Sequence, residues 1–365
     1  MKIIISGGGT GGHIFPAIAI ANAIKEAQPH AEILFVGALG KMEMEKVPKA
    51  GYKIIGLPIV GIQRRLSLSN LKFQLKMLKS LVKARSIIKD YKPDIAIGVG
   101  GFASGPLLLM ANALRIPTLI QEQNSYAGIT NKFLAKQAKN ICVAYPNMSA
   151  FFPKEKIVFT GNPVRSDLLH LQGKKEKGLA HFGLVTNKKT LLVIGGSLGA
   201  KSINQAIDSG LDRLLKADYQ VIWQTGKPYF EKAKQQASGR SGVYVADFIY
   251  EMDMAYAAAD LVVSRAGALS VSELCLVAKP CILVPYPHAA EDHQTQNALS
   301  LVQEQAAIMV KDNEAGQRLV DEVLALLQNE PARNMLCTHI SKLAKPQAAT
   351  EIAELVFEII RNTKY

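Results

Sequence analysis

A histidine directly follows a glycine-rich run near the start of the chain, at residues 7–13 (GGGTGGH). The apolar residues 3–5 precede this run, a pattern typical of a strand that turns through glycines into a helix. The start of a helix offers unpaired N–H groups and a positive dipole end to an anion. Because that positive end disfavours imidazolium, we expect a neutral His13 that can take a proton from a hydroxyl. The alternative is a capping or structural histidine.

The same run contains the G-x-G-x-x-G pattern of dinucleotide-binding enzymes. Those enzymes place an acidic residue at the end of the second strand, where it binds ribose. Here the second predicted strand, at 33–37, ends in Gly37, and Glu32 lies at its start. A nicotinamide enzyme is therefore disfavoured, whereas a tight strand–helix turn without a ligand stays open.

Three further segments place glycines after a predicted strand, at 98–106 (GVGGFASGP), 195–200 (GGSLGA) and 264–273 (SRAGALSVSE). Small residues let a diphosphate approach a helix start, and Ser197 could donate to one of its oxygens. Glu273 could accept both hydroxyls of a ribose. Ser270 and Glu273 also fit the S-x-x-E capping box of a helix start, and the first segment also fits flexible packing without a ligand.

A densely polar segment at 285–297 (PYPHAAEDHQTQN) follows another predicted strand, and Gln294 in it could bond sugar hydroxyls. His288, Asp292 and His293 are possible metal ligands, but no second cluster supports them. The chain contains no D-x-D sequence. We therefore predict neither a metal nor a cofactor, and helix starts would have to neutralise a diphosphate leaving group.

Two similar series of strands and helices must position these segments. Short apolar runs alternate with helix patterns, among them 15–27, 71–89 and 128–136, which predicts buried parallel strands. The fold class is therefore α/β, with two doubly wound, Rossmann-like domains. The strands are predicted at 2–6, 33–37, 53–57, 94–98, 118–121, 141–145 and 157–160, and then at 190–194, 220–224, 243–246, 261–264, 281–284 and 308–310.

Glycine and proline at 161–163 break any regular element, so we place a domain boundary there. The first domain is then 1–163 and the second is 164–345. Residues 346–365 contain a helix pattern at 347–361, which we expect to pack back on the first domain.

Charge is unevenly distributed in the 365 residues, whose formal net charge is +13. Residues 61–92 carry nine lysines and arginines against one aspartate, and four of these lie on one stripe of the predicted helix 71–89: Lys72, Lys76, Lys79 and Lys83. Such a basic amphipathic helix can lie on an anionic membrane surface, which residues 62–68 could also contact. A core helix with a solvated lysine face fits as well, and we prefer it for the apolar residues.

Several classes of protein are disfavoured by composition. No run of about 18 apolar residues predicts a transmembrane helix, and the start of the chain does not fit a signal peptide. The four cysteines form no C-x-x-C pair, which is typical of a reduced cytosolic protein. Although basic residues outnumber acidic ones, no aromatic cluster or known module predicts binding to nucleic acid.

Taken in order, the motifs resemble those of the N-acetylglucosaminyltransferase family that completes the lipid-linked disaccharide of peptidoglycan. The resemblance runs from about residue 3 to 298 and rests on GGTGGH (8–13), GGFASGP (100–106), EQN (122–124), GNPVR (161–165), GGSLGA (195–200), RAGALSVSE (265–273) and DHQ (292–294). It implies the GT-B glycosyltransferase fold, with two domains facing a cleft that binds the donor. Two activities of the same architecture stay open: a UDP-N-acetylglucosamine 2-epimerase and a diacylglycerol glycosyltransferase.

The resemblance also implies a reaction, the inverting transfer of N-acetylglucosamine from UDP-N-acetylglucosamine to the 4-hydroxyl of undecaprenyl-diphosphate-linked muramyl-pentapeptide. The protein would be peripheral, on the cytoplasmic side of the bacterial inner membrane. His13 matches the family's candidate base, Ile249 would hold uracil through its backbone, and the spacing after Pro287 leaves His288 and His293 without a role. The implied donor contacts are Thr10, Gly11, Gly12, Asn124, Arg165, Ser197, Ile249, Ala268, Leu269, Ser270, Val271, Ser272, Glu273 and Gln294.

Overall fold

The computed structural model describes residues 1–59, 69–196, 198–289 and 292–363, with the backbone alone at 69–73. The chain forms two compact units. Unit 1 comprises Met1–Arg165 and Pro346–Tyr365, and unit 2 comprises Ser166–Lys345. Each is a parallel sheet with helices on its faces, so the predicted α/β class with two doubly wound sheets is confirmed.

The sheet of unit 1 has seven parallel strands in the order β3-β2-β1-β4-β5-β6-β7. Isoleucines 3 to 5 are buried on both faces of the central strand, as expected for a parallel sheet covered by helices. The strands are β1 (Lys2–Ser6), β2 (Glu32–Ala38), β3 (Lys53–Leu57), β4 (Ile95–Gly98), β5 (Thr118–Glu122), β6 (Asn140–Val143) and β7 (Ile157–Phe159). The helices between them are α1 (Gly11–Ala27), α2 (Glu43–Lys49), α3 (Ser69–Tyr91), α4 (Ser104–Ala113) and α5 (Ile129–Leu134).

The sheet of unit 2 has six parallel strands in the order β10-β9-β8-β11-β12-β13. Its strands are β8 (Thr190–Ile194), β9 (Gln220–Gln224), β10 (Val243–Ala246), β11 (Leu261–Ser264), β12 (Cys281–Leu283) and β13 (Ile308–Met309). Its helices are α6 (Lys175–His181), α7 (Lys201–Lys216), α8 (Lys227–Ala237), α9 (Met252–Ala258), α10 (Ala268–Val277), α11 (His293–Gln303), α12 (Ala315–Gln328) and α13 (Glu330–Ser341).

The strand order reverses once in each sheet, between β1 and β4 in unit 1 and between β8 and β11 in unit 2. At such a switch point the loops after the two strands part in opposite directions and leave a crevice for a ligand. Ser6 pairs with Gly98 there in unit 1, and Ile194 pairs with Ser264 in unit 2. All four glycine-bordered segments of the sequence therefore begin at a switch point.

The last helix, α14 (Ala348–Thr363), belongs to unit 1 although unit 2 precedes it in the chain. It packs along α1, and both helices contribute to one hydrophobic cluster. Ile14, Ile20 and Ile24 of α1 are fully buried in that cluster. The contribution of α14 is Ile352, Ala353, Val356, Ile359 and Ile360.

Helix α3 divides into a buried and an exposed part. Ala84, Ile87 and Ile88 are buried near its end, as predicted for a core helix. Its earlier apolar residues are not in the core: the exposed fraction is 57% for Leu75, 60% for Leu78 and 65% for Val82. The preferred core-helix interpretation is therefore wrong for these three side chains, because no described element covers them. Residues 62–68 and the side chain of Lys72 lie outside the described residues.

The exposed apolar residues of α3 alternate with positively charged residues. Lys76, Lys79 and Lys83 are exposed on the same part of the helix. Within the described ranges, no helix combines the length and the apolar character needed to cross a bilayer.

Candidate functional site

Two glycine loops meet at the switch point of unit 1, one after β1 and one after β4. Gly101 has a φ of +85° and lies so close to the Gly8 backbone that a Cβ would overlap with the Gly8 carbonyl. Only glycine combines that backbone angle with that approach. The loop after β4 therefore forms a second glycine-lined wall beside the first.

His13 lies in the first turn of α1, which begins at Gly11 and carries no acidic residue in that turn. Its Nδ1 is 3.1 Å from the Gly8 carbonyl oxygen and 3.3 Å from the Thr10 hydroxyl. A carbonyl oxygen only accepts, so Nδ1 carries the proton, and in the neutral ring Nε2 carries the lone pair. A Cβ on Gly100 would lie 2.9 Å from Nε2, so the second loop adjoins that nitrogen. The ring is thus held in the tautomer that a general base at Nε2 requires.

Thr10, Gly11 and Gly12, three of the predicted donor contacts, surround this helix start. Thr10 is the N-cap residue in extended conformation, and its side chain forms no capping hydrogen bond. The guanidinium of Arg165 lies 5.4 Å from the ring centre of Phe15 on the same helix. Unit 1 therefore brings Arg165 to the beginning of α1, although 150 residues separate them in sequence.

Asn124 is held by the buried carboxylate of Glu122, a residue for which the sequence predicted no role. Glu122, 2% exposed at the end of β5, accepts hydrogen bonds from the Asn124 backbone N–H at 3.1 Å and from its side-chain amide at 3.3 Å. Its other oxygen accepts from the Gly128 N–H at 3.0 Å and from Asn131 at 2.8 Å. Glu122 therefore fixes the whole turn from 124 to 128.

Amide side chains connect three of the motifs. Gln123 donates through Nε2 to the Val99 carbonyl at 2.9 Å, and Asn162 donates to the Gln123 carbonyl at 3.0 Å. Gln121 in turn donates to Asn162 Oδ1 at 3.0 Å. The loop after β4, the EQN turn and the Gly161–Pro163 segment are thus one hydrogen-bonded edge of unit 1.

In unit 2, the loop after β8 closes against the end of β9. Gly199 has a φ of +77°, and a Cβ there would overlap with the Thr225 carbonyl. Helix α7 follows from Lys201, with no acidic residue in its first turn. Ser197, the predicted phosphate contact in this loop, lies outside the described residues.

Helix α10 begins directly after the second loop of the switch point, with Gly267 as its N-cap. Ser270 is therefore the third helical residue, and the capping-box alternative for Ser270 and Glu273 is wrong. Ser272 donates to the Ala268 carbonyl at 3.0 Å, and Ala268 and Val271 are buried. The first turn carries no acidic residue, so its N–H groups face no competing carboxylate from that turn.

Glu273 lies one turn further along α10, and the residue is only 8% exposed. Its Oε2 accepts a hydrogen bond of 3.1 Å from the hydroxyl of the buried Tyr256. The predicted uracil contact, Ile249, is 3% exposed in the loop after β10 and belongs to the same hydrophobic cluster as Tyr256. The tyrosine hydroxyl therefore orients the carboxylate.

Arg265 organises the loop after β12. Its guanidinium donates to the carbonyls of Val284 at 3.0 Å and Pro285 at 3.2 Å, and pairs with Asp312 at 2.5 Å. Gln294 accepts through Oε1 from the backbone N–H of Tyr286 at 3.0 Å, so its side chain is oriented by that loop.

The two histidines without an assigned role lie nearby. His288 is exposed, with its ring 5.6 Å from that of Tyr286, and His293 is the first residue of α11. In the part of the chain that the structure describes, no three His, Cys, Asp or Glu side chains are grouped so as to hold a metal ion.

Two doubly wound units with glycine loops at their switch points are the architecture of GT-B glycosyltransferases, and the sequence matches the models of such a family. Residues 3–143 match the model of the glycosyltransferase family 28 N-terminal domain, and residues 190–354 match that of its C-terminal domain. The chain belongs to glycosyltransferase family 28.

Within that family, the chain is similar to curated relatives that share one name, UDP-N-acetylglucosamine–N-acetylmuramyl-(pentapeptide) pyrophosphoryl-undecaprenol N-acetylglucosamine transferase. The relative from Cytophaga hutchinsonii is 57% identical, and the match covers the whole of this chain and 98% of the relative. That from Parabacteroides distasonis is 55% identical, with 98% of both chains covered.

Solved structures show the same fold. The crystal structure of MurG from Acinetobacter baumannii has a TM-score of 0.77 at 29% identity and covers 98% of this chain and 99% of its own. A UDP-GlcNAc 2-epimerase from Neisseria meningitidis has a TM-score of 0.71 at 15% identity, and the match covers 98% of this chain and 100% of the epimerase chain. At that identity the second likeness concerns the fold alone.

Proposed function

We propose that this protein transfers N-acetylglucosamine from UDP-N-acetylglucosamine to the 4-hydroxyl of the muramyl-pentapeptide carried on undecaprenyl diphosphate, with inversion at the anomeric carbon. The observation that carries this proposal is the 57% identity, over the whole chain, to a relative that is named for this transfer. The epimerase shares the fold but only 15% of the sequence, so the fold gives no reason to prefer its activity.

In this proposal His13 is the general base. Inversion by a single displacement needs a hydroxyl that loses its proton while it attacks one face of the sugar, and UDP leaves from the other face. The Gly8 carbonyl holds the proton on Nδ1, which leaves Nε2 to accept the proton of the acceptor hydroxyl.

Unit 2 supplies the nucleotide contacts in the proposal. The diphosphate is stabilised by the start of α10 and by Ser197, the ribose by Glu273, the uracil by the backbone of Ile249, and the sugar by Gln294. What supports these roles is that Glu273 is buried beside Ile249's hydrophobic cluster and that α10 begins at a glycine without an acidic first turn. The remaining proposed donor contacts follow the motif resemblance: Thr10, Gly11, Gly12, Asn124, Arg165, Ala268, Leu269, Ser270, Val271 and Ser272.

We further propose that the protein binds an anionic membrane surface as a peripheral protein on the cytoplasmic side of the inner membrane. Helix α3 supports this, because Leu75, Leu78 and Val82 are exposed among lysines. Apolar side chains can enter the headgroup layer while neighbouring lysines attract its negative charge.

The test is transfer from radiolabelled UDP-N-acetylglucosamine to a short-chain analogue of the muramyl lipid, with a chelator in a parallel reaction. We expect label in a lipid-linked disaccharide, with a rate that the chelator leaves unchanged. Formation of UDP-N-acetylmannosamine without acceptor would instead identify an epimerase. Label in diacylglycerol and none in the muramyl lipid would identify the other alternative. Loss of turnover with the chelator would refute the metal-independent mechanism.

A further inference from the structure

Glu43 is a fully buried carboxylate directly beneath the glycine loop of unit 1. It is the first residue of α2 and has no exposed surface. Its Oε2 accepts a hydrogen bond of 2.8 Å from the backbone N–H of Gly9, and its Oε1 accepts one of 2.9 Å from the N–H of Ala38. Among the described residues, no lysine, arginine or histidine forms an ion pair with it. The carboxylate therefore bridges the tip of the loop and the end of β2.

Two glycines make room for this carboxylate. A Cβ on Gly8 would overlap with the Glu43 carboxyl group, and a Cβ on Gly37 would lie 2.5 Å from Glu43 Cγ. Neither glycine has the left-handed backbone angle that favours the residue, so space is the reason for both. The buried part of β2 thus contains a glycine at 37 because an acidic side chain from α2 occupies the volume beside it.

The bridge continues to His13. Gly8, whose Cα faces the Glu43 carboxylate, also provides the carbonyl oxygen that lies 3.1 Å from His13 Nδ1. A bond from Gly9 N–H to a carboxylate restrains the Gly8–Gly9 peptide, because that peptide contains both the N–H and the carbonyl. The orientation of the imidazole therefore depends on a peptide plane that Glu43 holds.

We propose that Glu43 is a positioning residue for His13, acting through the Gly8–Gly9 peptide to fix the ring orientation and its Nδ1–H tautomer. This inference rests on the proposed function for the role of His13, but the tautomer itself is independent of turnover. A carboxylate accepts at both oxygens. The amide of Glu43→Gln accepts at one only and turns its NH₂ toward a backbone N–H. One of the two bridging bonds is then lost.

The experiment compares Glu43→Gln with Glu45→Gln, the same change at an exposed position of the same helix. The ¹⁵N shifts of His13, assigned by comparison with His13→Asn, report which ring nitrogen carries the proton. We expect Glu43→Gln to populate the Nε2–H tautomer, to lower kcat about 10- to 100-fold, and to leave the Kd for UDP within about twofold, since misplacement of a reacting group by an ångström costs about that much rate. Glu45→Gln should behave as the wild type.

A second variant displaces Glu43 without changing it. Gly37→Ala places a methyl group against Glu43 Cγ from the β2 side, and we expect the same tautomer change. An unchanged His13 tautomer in both variants, with both cooperatively folded, would overturn the proposal. So would a fall in kcat without a tautomer change, because Glu43 would then affect turnover by a route other than the His13 tautomer. A wild type with the Nδ1–H tautomer but no transferase activity would refute the proposed function and leave the positioning role standing.

Discussion

Replacement of Glu273 by glutamine tests the ribose contact with almost no change in side-chain volume. Glu273 is 8% exposed, so water competes little for its side chain. A hydrogen bond to a charged group contributes about 1.5–3 kcal/mol, against about 0.5–1.5 kcal/mol for a neutral one. If one ribose hydroxyl donates to the carboxylate, UDP should bind roughly 10- to 150-fold tighter than 2′-deoxy-UDP, since about 1.4 kcal/mol is a factor of ten. With the neutral amide this preference should fall to roughly 2- to 12-fold.

Calorimetric titration of both nucleotides into both proteins measures the two preferences. Tyr256→Phe is the matched control, because it removes the 3.1 Å hydrogen bond to Glu273 Oε2 and leaves the carboxylate in place. We expect the control to keep most of the preference for the 2′-hydroxyl. An equal preference for UDP in wild type and Glu273→Gln, with both proteins folded, would refute the assignment, whatever the change in overall affinity.

The other predictions concern the base, the membrane surface and the thiols. His13→Ala should lower kcat by about 10² to 10⁴ while the Kd for UDP is retained, and a parallel loss of UDP binding would contradict a purely catalytic role. Leu78→Glu should weaken cosedimentation with anionic vesicles about tenfold or more, whereas Val185→Glu, an exposed position of unit 2, should not. Burial raises the pKa of Cys142 and Cys275 to about 12 and also raises that of Cys281, so at pH 8 very little reactive thiolate exists. Ellman's reagent should therefore modify one thiol at most before unfolding, and rapid modification of three or four would show that these sites open readily.

The sheets were predictable because buried parallel strands are uninterrupted runs of apolar, mostly β-branched residues. β1 and β8 were predicted with the bounds that the structure shows. The glycine loops followed from the same pattern, since each interrupts the chain where a strand ends. Capping was less predictable. Ser270 and Glu273 have the spacing of a capping box, but the helix begins earlier, at a glycine that ends the switch-point loop.

The supporting carboxylates could not be predicted in the same way. Glu43 bonds to backbone N–H groups, one of them 34 residues away, so no side-chain motif identifies it. The available signal was Gly37, a glycine in the apolar part of a strand. The strand pattern alone gives no reason for a residue without a side chain at that position. For α3, periodicity gave the helix, but it could not show which apolar residues another element covers. Leu75, Leu78 and Val82 differ from the buried Ile87 and Ile88 only in what lies beside them.

The arrangement of α14 has a consequence for how the chain acquires its structure during synthesis. The stripe of α1 that contains Ile14, Ile20 and Ile24 has its partner at the far end of the chain. Translation at about 5–20 residues per second takes roughly ten to forty seconds to make the intervening unit. For that time the apolar stripe of α1 lacks the helix that covers it. The sheet of unit 2 has no such delay, because all of its helices belong to the segment Ser166–Lys345. The part of the enzyme that leaves the ribosome first is therefore the last to be completed.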